Sequence, residues 1–252
     1  MLKLERQFSG PFHVWKLPEP GEAYAAGADP AGGKHSGDWC ACTVVDRWGS
    51  PVAVWRGKVE PRVFAQIIID ICEFYGQFTE SGQIPLCPEG NNHGIALIDE
   101  LRALGYWNLY TRQQWDRISK EFIPSLGFLT SLKTKPILLN RGKRALADRN
   151  CIIRSRVILE EASTYIINDA GREEAMEGKN DDTLMSWLLA LEACHVMLLI
   201  GEEPRDGAPS IPQKPAAHHA KDRSERSAMA WEALQKTVEE NESPRRVVYI
   251  QR

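Results

Sequence analysis

The chain has 252 residues, 43% of them hydrophobic and 26% charged, with a formal net charge of −3, a composition typical of a folded globular protein. No apolar stretch suits a membrane span, because residues 63–71 are too few and residues 184–200 are interrupted by Glu192 and His195. The first residues hold no apolar core of signal-peptide length, so we expect a cytoplasmic protein without a membrane partner. The negative net charge argues against a uniformly basic surface but leaves room for a local basic strip that contacts phosphates.

Three β-rich segments begin the predicted core. Residues 23–29 are a run of small apolar residues that ends in a carboxylate, and residues 39–46 are rich in β-forming residues. Residues 51–57 follow a turn at residues 47–50 and predict a third strand. Because the strands are closely spaced and joined by turns, they predict an antiparallel meander.

Helices and short strands alternate after the meander. Pro61 opens a helix whose apolar residues recur at helical spacing. The further predicted elements, in chain order, are a short buried strand at 84–89, a helix at 92–104, a strand at 106–110, helices at 135–148 and 157–167, and a helix that follows Asp181 and Asp182. This order predicts a mixed α/β core.

The composition changes at both ends of the chain. Residues 1–22 are polar and contain several prolines, which is typical of a linker segment. Residues 203–219 are proline-rich, and residues 222–241 have helical character but few large apolar side chains. A helix with so few apolar residues needs a partner surface, either on the core or on another protein. We therefore expect a core domain at 23–201, followed by a flexible linker and helical tail at 202–252.

The six cysteines do not predict a metal site. Cys40 and Cys42 lie two residues apart in a predicted strand, so both point to one face of the sheet. A structural zinc site needs further ligands at suitable spacing, and the sequence offers none. We therefore expect reduced thiols buried in the core.

Acidic residues end two predicted strands and begin the last helix. Asp29 and Glu89 each end a strand, and Asp181 and Asp182 begin the helix. Taken singly, each has a structural explanation as a turn residue, a solvated loop residue or a helix cap. Together, such carboxylates can converge into a cluster that is too repulsive to stand without cations. Oxygen ligands suit Mg²⁺ and Mn²⁺, and two such ions ~4 Å apart can activate a water and stabilise the leaving oxygen of a phosphodiester.

Five segments carry these acids and their surroundings. They are GADPAGGKHSGD (27–38), VVDRWGSPVAVWRG (44–57), PEGNNHGIALIDELRALGYWNLY (88–110), GFLTSLKTKP (127–136) and GKNDDTLMSWLLA (178–190). In this order they resemble the motifs of the nuclease domain of the phage terminase large subunit. The matching motifs are a first acidic motif with its glycine-rich turn, the adjoining hairpin, an E-x-N-x-x-G segment, a threonine-lysine-proline element and a double-aspartate helix start.

The resemblance implies a fold, an activity and a set of site residues. The fold would be α/β, an RNase H-like mixed sheet flanked by helices, with a C-terminal accessory tail, and the core domain would be the nuclease. Its activity would be two-metal cleavage of concatemeric double-stranded viral DNA during packaging, with Mg²⁺ or Mn²⁺ as cofactor. Asp29 and Glu89 would be metal ligands, and Asp181 or Asp182 would supply the third carboxylate. For Asp38, the roles of auxiliary acid and turn residue stay equally open.

A basic strip is the predicted DNA contact. It comprises Lys133, Lys135, Lys143 and Arg144, of which the first two lie in the threonine-lysine-proline element. Contacts to the DNA backbone suit an enzyme that cuts with little sequence preference. The resemblance also implies the terminase ATPase motor, the small terminase and the portal protein as partners, in the cytoplasm of an infected cell. The glycine-rich segment at 27–35 departs from the phosphate-binding loop pattern, so we do not expect the motor in this chain.

Two other functions stay open at this point. Another RNase H-like nuclease, such as a resolvase or transposase, would use the same carboxylates. A non-catalytic portal- or capsid-docking module would keep the acids for structural reasons and bind through its tail. For residues 222–241, we favour docking on a packaging component over folding back on the core.

Overall fold

The computed structural model describes residues 3–6, 10–31, 38–115, 120–147, 151–168, 173–197 and 248–251. Its strands are β1 (Lys3–Arg6), β2 (Phe12–Val14), β3 (Tyr24–Asp29), β4 (Cys40–Asp46), β5 (Pro51–Gly57), β6 (Leu86–Pro88), β7 (Thr111–Trp115), β8 (Phe122–Leu126), β9 (Tyr165–Ile167), β10 (Glu173–Ala175) and β11 (Val248–Gln251). Its helices are α1 (Pro61–Gly76), α2 (Asn92–Ala103), α3 (Lys135–Ala147), α4 (Arg156–Ser163) and α5 (Asp182–Met197). Within these ranges, none of the helices has the length and apolar character that crossing a membrane requires.

Five strands form the central sheet, in the order β2-β5-β4-β3-β6. The predicted meander is confirmed, since β3 pairs antiparallel with β4 and β4 pairs antiparallel with β5. Asp46 makes the turn between β4 and β5, where its Oδ1 accepts hydrogen bonds of 3.0 Å from the amides of Trp48 and Ser50. β6 lies parallel to β3, with Gly27 opposite Cys87. The sheet is therefore mixed, as the predicted fold class requires.

Helices cover both faces of this sheet. Side chains alternate along a strand, so Ala26 and Ala28 of β3 pack with α1, whereas Ala25 belongs to the core shared with α5. α2 packs beside α1 on the first face, and α3 and α4 contact α5 on the second. α5 is buried along most of its length, which is typical of a helix covered on several sides.

α5 lies directly against β3 and runs in the opposite direction. At Gly27, a Cβ would lie 2.2 Å from the amide nitrogen of Ala190 and 2.3 Å from the carbonyl oxygen of Ser186, so only glycine allows the approach. Near the other end of the helix, Cys194 Sγ lies 3.7 Å from the carbonyl oxygen that ends β4, which pairs with the start of β3. This orientation brings the first turn of α5 to the end of β3, where Asp29 lies.

Two predicted elements differ in the structure. The segment at 106–110 joins the sheet only through an isolated bridge between Leu109 and Leu86, and the β7–β8 hairpin follows it. The helix predicted over 157–167 ends at Ser163, and β9 then pairs antiparallel with β10. The aromatic and β-branched residues of β9 favour a strand once a partner strand is present, so the prediction of one continuous helix is wrong.

The N-terminal segment contributes to the core, although its sequence predicts a linker. β2 forms the edge of the central sheet by pairing with β5, and Phe12 and Val14 are buried. The core therefore begins within residues 1–22. β1 pairs antiparallel with β11, so the described C-terminal strand lies beside the N-terminal one. The linker at 203–219 and the helix at 222–241 lie outside the described residues.

Candidate active site

Two acidic side chains meet where β3 and β6 end. Asp29 is the last residue of β3, and Glu89 follows β6 directly. The Glu89 amide donates a 2.8 Å hydrogen bond to the carbonyl oxygen of Ala28, so the ends of the two strands lie side by side. The Glu89 side chain lies close enough to that of Asp29 to raise the pKa of Asp29 through its charge and through a side-chain hydrogen bond. The structure thus brings together the two strand-end carboxylates that the sequence singled out.

The acidic residues around Asp29 make the electrostatic potential at this site strongly negative. Loss of solvation raises the pKa of Asp29 well above its ordinary value, and repulsion by Glu89, Asp182 and Asp181 raises this pKa further, in that order. Two ionised carboxylates at hydrogen-bonding distance repel each other unless a proton or a cation lies between them. The site therefore favours uptake of positive charge.

Asp182 is the buried member of the aspartate pair. It is the first residue of α5, and its Oδ2 accepts a 3.2 Å hydrogen bond from the Trp39 amide. Burial raises the pKa of Asp182 to about 6, against the lowering effect of that hydrogen bond. The charge of Asp38, an exposed residue beside Trp39, raises the same pKa, so Asp38 lies within electrostatic reach of the site.

Asp181 has a cation beside it instead. The Lys135 ammonium lies 3.4 Å from Asp181 Oδ2 and 5.2 Å from the centre of the Tyr165 ring. Contacts with Tyr165 and Asp181 raise the pKa of Lys135 despite its partial burial, so the lysine stays charged. The two aspartates thus differ: Asp182 is buried and bonded to a backbone amide, whereas Asp181 forms an ion pair with Lys135.

Local contacts fix the backbone and side chain of Glu89. The Asn91 side-chain amide donates a 2.9 Å hydrogen bond to Glu89 Oε1. In the first turn of α2, a Cβ at Gly94 would lie 1.8 Å from the Glu89 carbonyl oxygen, so the helix can start here only with glycine at that position. These contacts explain the spacing of glutamate, asparagine and glycine in the E-x-N-x-x-G segment.

The donor chemistry of the site fits a hard divalent cation. Asp29, Glu89 and Asp182 offer carboxylate oxygens, which Mg²⁺ and Mn²⁺ prefer. The six cysteines, all within the described residues, form no disulfide bond. Burial raises the pKa of the Cys40 and Cys42 thiols, which disfavours the thiolate form that zinc binds. In the part of the chain that the structure describes, no three histidine, cysteine or acidic side chains are grouped closely enough to hold a metal ion as they stand.

The predicted basic strip divides into residues with different surroundings. Lys133 and Arg144 are exposed. Lys143 is exposed as well, with its ammonium 2.6 Å from Glu173 Oε1. Lys135 is only partly exposed, and its ammonium lies 3.4 Å from Asp181 Oδ2, so it contacts the acidic site.

The sequence did not reveal Arg56 and Glu161, which lie beside the start of α5. Glu161 of α4 is buried, and its Oε2 accepts a 2.7 Å hydrogen bond from the Leu184 amide. Arg56 of β5 pairs with the same carboxylate at 3.4 Å and lies 4.5 Å above the Trp39 ring. Arg56 lies in the hairpin segment at 44–57, but nothing in that segment singles it out, and no motif covers Glu161. The proximity of the two residues depends on how α4 packs against α5.

Comparisons with known proteins give a fold. No protein-family model and no curated protein matches the chain. Its structure is similar to that of the large terminase nuclease from thermophilic phage G20c with bound cobalt, with a TM-score of 0.54 and 20% identity, over 74% of this chain and 89% of that chain. The same nuclease with bound magnesium matches at a TM-score of 0.54 and 20% identity. The Thermus phage P74-26 large terminase nuclease domain matches at a TM-score of 0.50 and 20% identity, over 73% of this chain and 86% of that chain. This chain therefore has the RNase H-like fold of the large terminase nucleases.

Proposed function

We propose that this chain is a divalent-metal-dependent DNA endonuclease that cleaves concatemeric double-stranded viral DNA during packaging, as the nuclease of a large terminase. The observation that carries the proposal is the position of Asp29 and Glu89 at two adjacent strand ends, which a 2.8 Å backbone hydrogen bond joins, with Asp182 close enough for its charge to act on Asp29. Carboxylates are brought this close where a cation is to neutralise them. The likeness in fold to terminase nucleases supports the same conclusion, since those proteins are nucleases and two of those crystals hold cobalt or magnesium.

Three carboxylates would hold the cofactor, which we propose to be Mg²⁺ or Mn²⁺ in a two-metal site. Asp29 and Glu89 are two of them, and we assign Asp182 as the third because its charge acts more strongly on Asp29, whereas Asp181 pairs with Lys135. Bound at these residues, the ions would activate the attacking water and stabilise the leaving oxygen of the phosphodiester. Asp38 would act as an auxiliary acid at the edge of the site.

Fixed hydrogen bonds support the roles of these ligands. The Trp39 amide orients the Asp182 carboxylate, and the Asn91 side chain orients that of Glu89. Outer hydrogen bonds of this kind hold ligand oxygens in the direction of the ion and are typical of metal sites. The chain's own contribution is thus to hold the oxygens in place before the substrate arrives.

The substrate would be bound through its phosphates. Lys133, Lys143 and Arg144 are exposed on the segment that carries Lys135 and can contact the DNA backbone. The ATPase motor, the small terminase and the portal protein would be its partners in packaging, within the infected cell. These partners follow from the terminase resemblance and from the likeness in fold.

Cleavage of plasmid DNA by the purified chain tests the proposed activity. We expect nicking that requires Mn²⁺ or Mg²⁺ in the wild type and in Asp99→Asn, a control at an exposed acid of α2. Asp29→Asn keeps the size of the side chain and should lose cleavage while its circular dichroism spectrum stays unchanged. Full cleavage by folded Asp29→Asn would contradict the assignment. A strong preference for four-way junctions over linear duplexes would instead favour a resolvase.

A further inference from the structure

A buried carboxylate outside the proposed ligand set contacts the first turn of α5. Glu161 has 6% of its surface exposed, and its Oε2 accepts the hydrogen bond of the Leu184 amide at 2.7 Å. Amides in the first turn of a helix have no partner within the helix, and an acceptor with negative charge is favoured there. Glu161 therefore fixes the end of α5 that begins with Asp182.

Arg56 connects Glu161 to the frame of the sheet. Its guanidinium lies 3.4 Å from Glu161 Oε1 and stacks 4.5 Å above the Trp39 ring. In the sheet register, Arg56 pairs with Ala41, and Ala41 pairs with Asp29. Residues paired in this way lie on one face of the sheet, so Arg56 and Asp29 share a face and are separated by one strand, at about 10 Å. Arg56 thus anchors α4 to the row of the sheet that carries Asp29.

The segment just before α5 is held by the same residues. With its side-chain oxygen turned toward the donors, Asn180 accepts hydrogen bonds from Trp39 Nε1 at 3.2 Å and from Arg56 at 3.3 Å. The Trp39 amide donates to Asp182 Oδ2 at 3.2 Å. Together with the Glu161 contact, these bonds reach residues 180, 182 and 184, on both sides of the aspartate pair. We refer to Trp39, Arg56 and Glu161 as the positioning cluster.

A stabilising role alone does not explain this arrangement. A buried ion pair adds little net stability, because removing its charges from water offsets most of their attraction. α5 has a second buried glutamate, Glu192, which pairs with Arg141 and accepts a 3.1 Å hydrogen bond from the Tyr110 hydroxyl. That pair lies ten residues along the helix from Asp182, about 15 Å away. The positioning cluster differs in that its contacts converge on the residues that carry the acids.

We propose that Glu161 and Arg56 are positioning residues that hold Asp182 opposite Asp29, so that the carboxylates are ready to receive the divalent ion. The inference rests on the proposed function, since it assigns Asp182 to the metal site. Neither residue is itself a ligand: Glu161 acts through the Leu184 amide, and Arg56 acts through Glu161, Asn180 and Trp39. Loss of either contact would leave the α5 turn free to shift by the small distances that matter in a metal site.

Glu161→Met and Glu192→Met form a matched pair for the test. Methionine keeps the approximate size of the side chain but removes both oxygens of a buried, arginine-paired glutamate, which lies beside the start of α5 in one case and within α5 in the other. Both variants should therefore lower the melting temperature of the metal-free chain. Calorimetric titration with Mn²⁺ then separates them, because Glu161→Met should weaken Mn²⁺ binding about 10- to 100-fold, the usual effect of losing a contact that orients a metal ligand, whereas Glu192→Met should bind as the wild type does. Wild-type affinity in Glu161→Met, or an equal loss in Glu192→Met, overturns the proposal.

Arg56→Lys provides a second test, which covers the case that Glu161→Met does not fold. Lysine keeps a positive charge for Glu161 but cannot reproduce the planar contacts with Asn180 and Trp39. Mn²⁺ binding should weaken in this variant, and wild-type affinity would contradict the proposal. Plasmid cleavage distinguishes the two inferences. A wild-type chain that binds Mn²⁺ without cutting DNA refutes the nuclease function and leaves the affinity test of positioning valid, whereas a wild-type chain that does not bind Mn²⁺ refutes both.

Discussion

Gly27 and Ala190 lie so close that the main chain of α5 touches the main chain of β3. A Cβ added at Gly27 would lie 2.2 Å from the Ala190 amide nitrogen. The contact determines how deeply the helix lies on the sheet, and the first turn of the same helix carries Asp182. The separation between the acids on β3 and on α5 therefore depends on a glycine that has no chemical role.

Gly27→Ala should destabilise the fold strongly. The added methyl group meets backbone atoms of α5, which cannot move away as a flexible side chain can. We expect a loss of about 3 kcal/mol or more in the free energy of unfolding, at the upper end for overpacked cores, measured by urea denaturation. Gly21→Ala is the control, because its φ of +77 is strained for alanine but nothing lies within 4 Å, which limits the loss to about 1 to 2 kcal/mol. Equal losses in the two variants would contradict the prediction.

The strand-end acids could be predicted because their arrangement follows from short-range patterns. The segment that ends in Asp29 and the one that ends in Glu89 both carry the apolar residues of buried strands, and acids at the ends of neighbouring strands converge. The choice between Asp181 and Asp182 could not be made in this way. It depends on Trp39, which is 143 positions from Asp182, and on Lys135, which is 46 positions from Asp181.

Elements that depend on distant partners were also beyond prediction. β9 has the residues of a strand but follows a helical pattern without a break, and only its pairing with β10 decides between the two. β2 lies in a segment rich in polar residues and proline, and it becomes a strand because β5 offers a free edge. Glu161 gives no signal in the sequence, since its buried position arises from the packing of α4 on α5.

Asp182 predicts how the stability of the metal-free chain depends on pH. Its pKa rises from an ordinary 3.8 to about 6 on folding, so the folded chain holds this proton more tightly than the unfolded chain. The contribution of Asp182 to the free energy of unfolding is fully present below about pH 4, where the carboxyl group is protonated in both states. This contribution, about 3 kcal/mol in total, is lost as the pH rises through the folded-state pKa near 6. In Asp182→Asn, which keeps the acceptor for the Trp39 amide, this part of the loss should disappear.

The measurement is the free energy of unfolding at pH 4 and pH 7, with a chelator present in both. The pKa values of other acids, Asp29 among them, are also raised on folding. The change in the free energy of unfolding between the two pH values is therefore compared between the wild type and Asp182→Asn. An identical change with pH in both chains would contradict the prediction.

The identity of the cation is a third expectation. Oxygen ligands should let Mg²⁺ and Mn²⁺ support cleavage, whereas Ca²⁺ should bind without turnover because its looser coordination positions the water poorly. Alkylating agents should leave Cys40 and Cys42 unmodified in the folded chain, since both are buried and their thiol pKa values are raised. Activation by Zn²⁺ alone, together with inhibition on alkylation, would point to a thiolate site instead.

Lys133 and Lys135 are two residues apart, and the structure predicts different effects for them. Lys133 is exposed, so Lys133→Ala should weaken binding to unrelated duplexes by similar factors and reduce the slope of log affinity against log salt by about 0.9. Lys135 lies 3.4 Å from Asp181, so Lys135→Ala leaves that acid without its cation and should reduce the rate of cleavage by bound enzyme more than it reduces DNA affinity. Salt titrations of binding and single-turnover cleavage rates measure the two effects separately.

Lys143→Ala is the control for the loss of an exposed cation that has an acidic partner, and it should resemble Lys133→Ala with a smaller change in slope. If Lys135→Ala weakens binding as Lys133→Ala does and cuts at the wild-type rate once bound, Lys135 belongs to the basic strip that the sequence predicted, and its assignment to the acidic site is wrong.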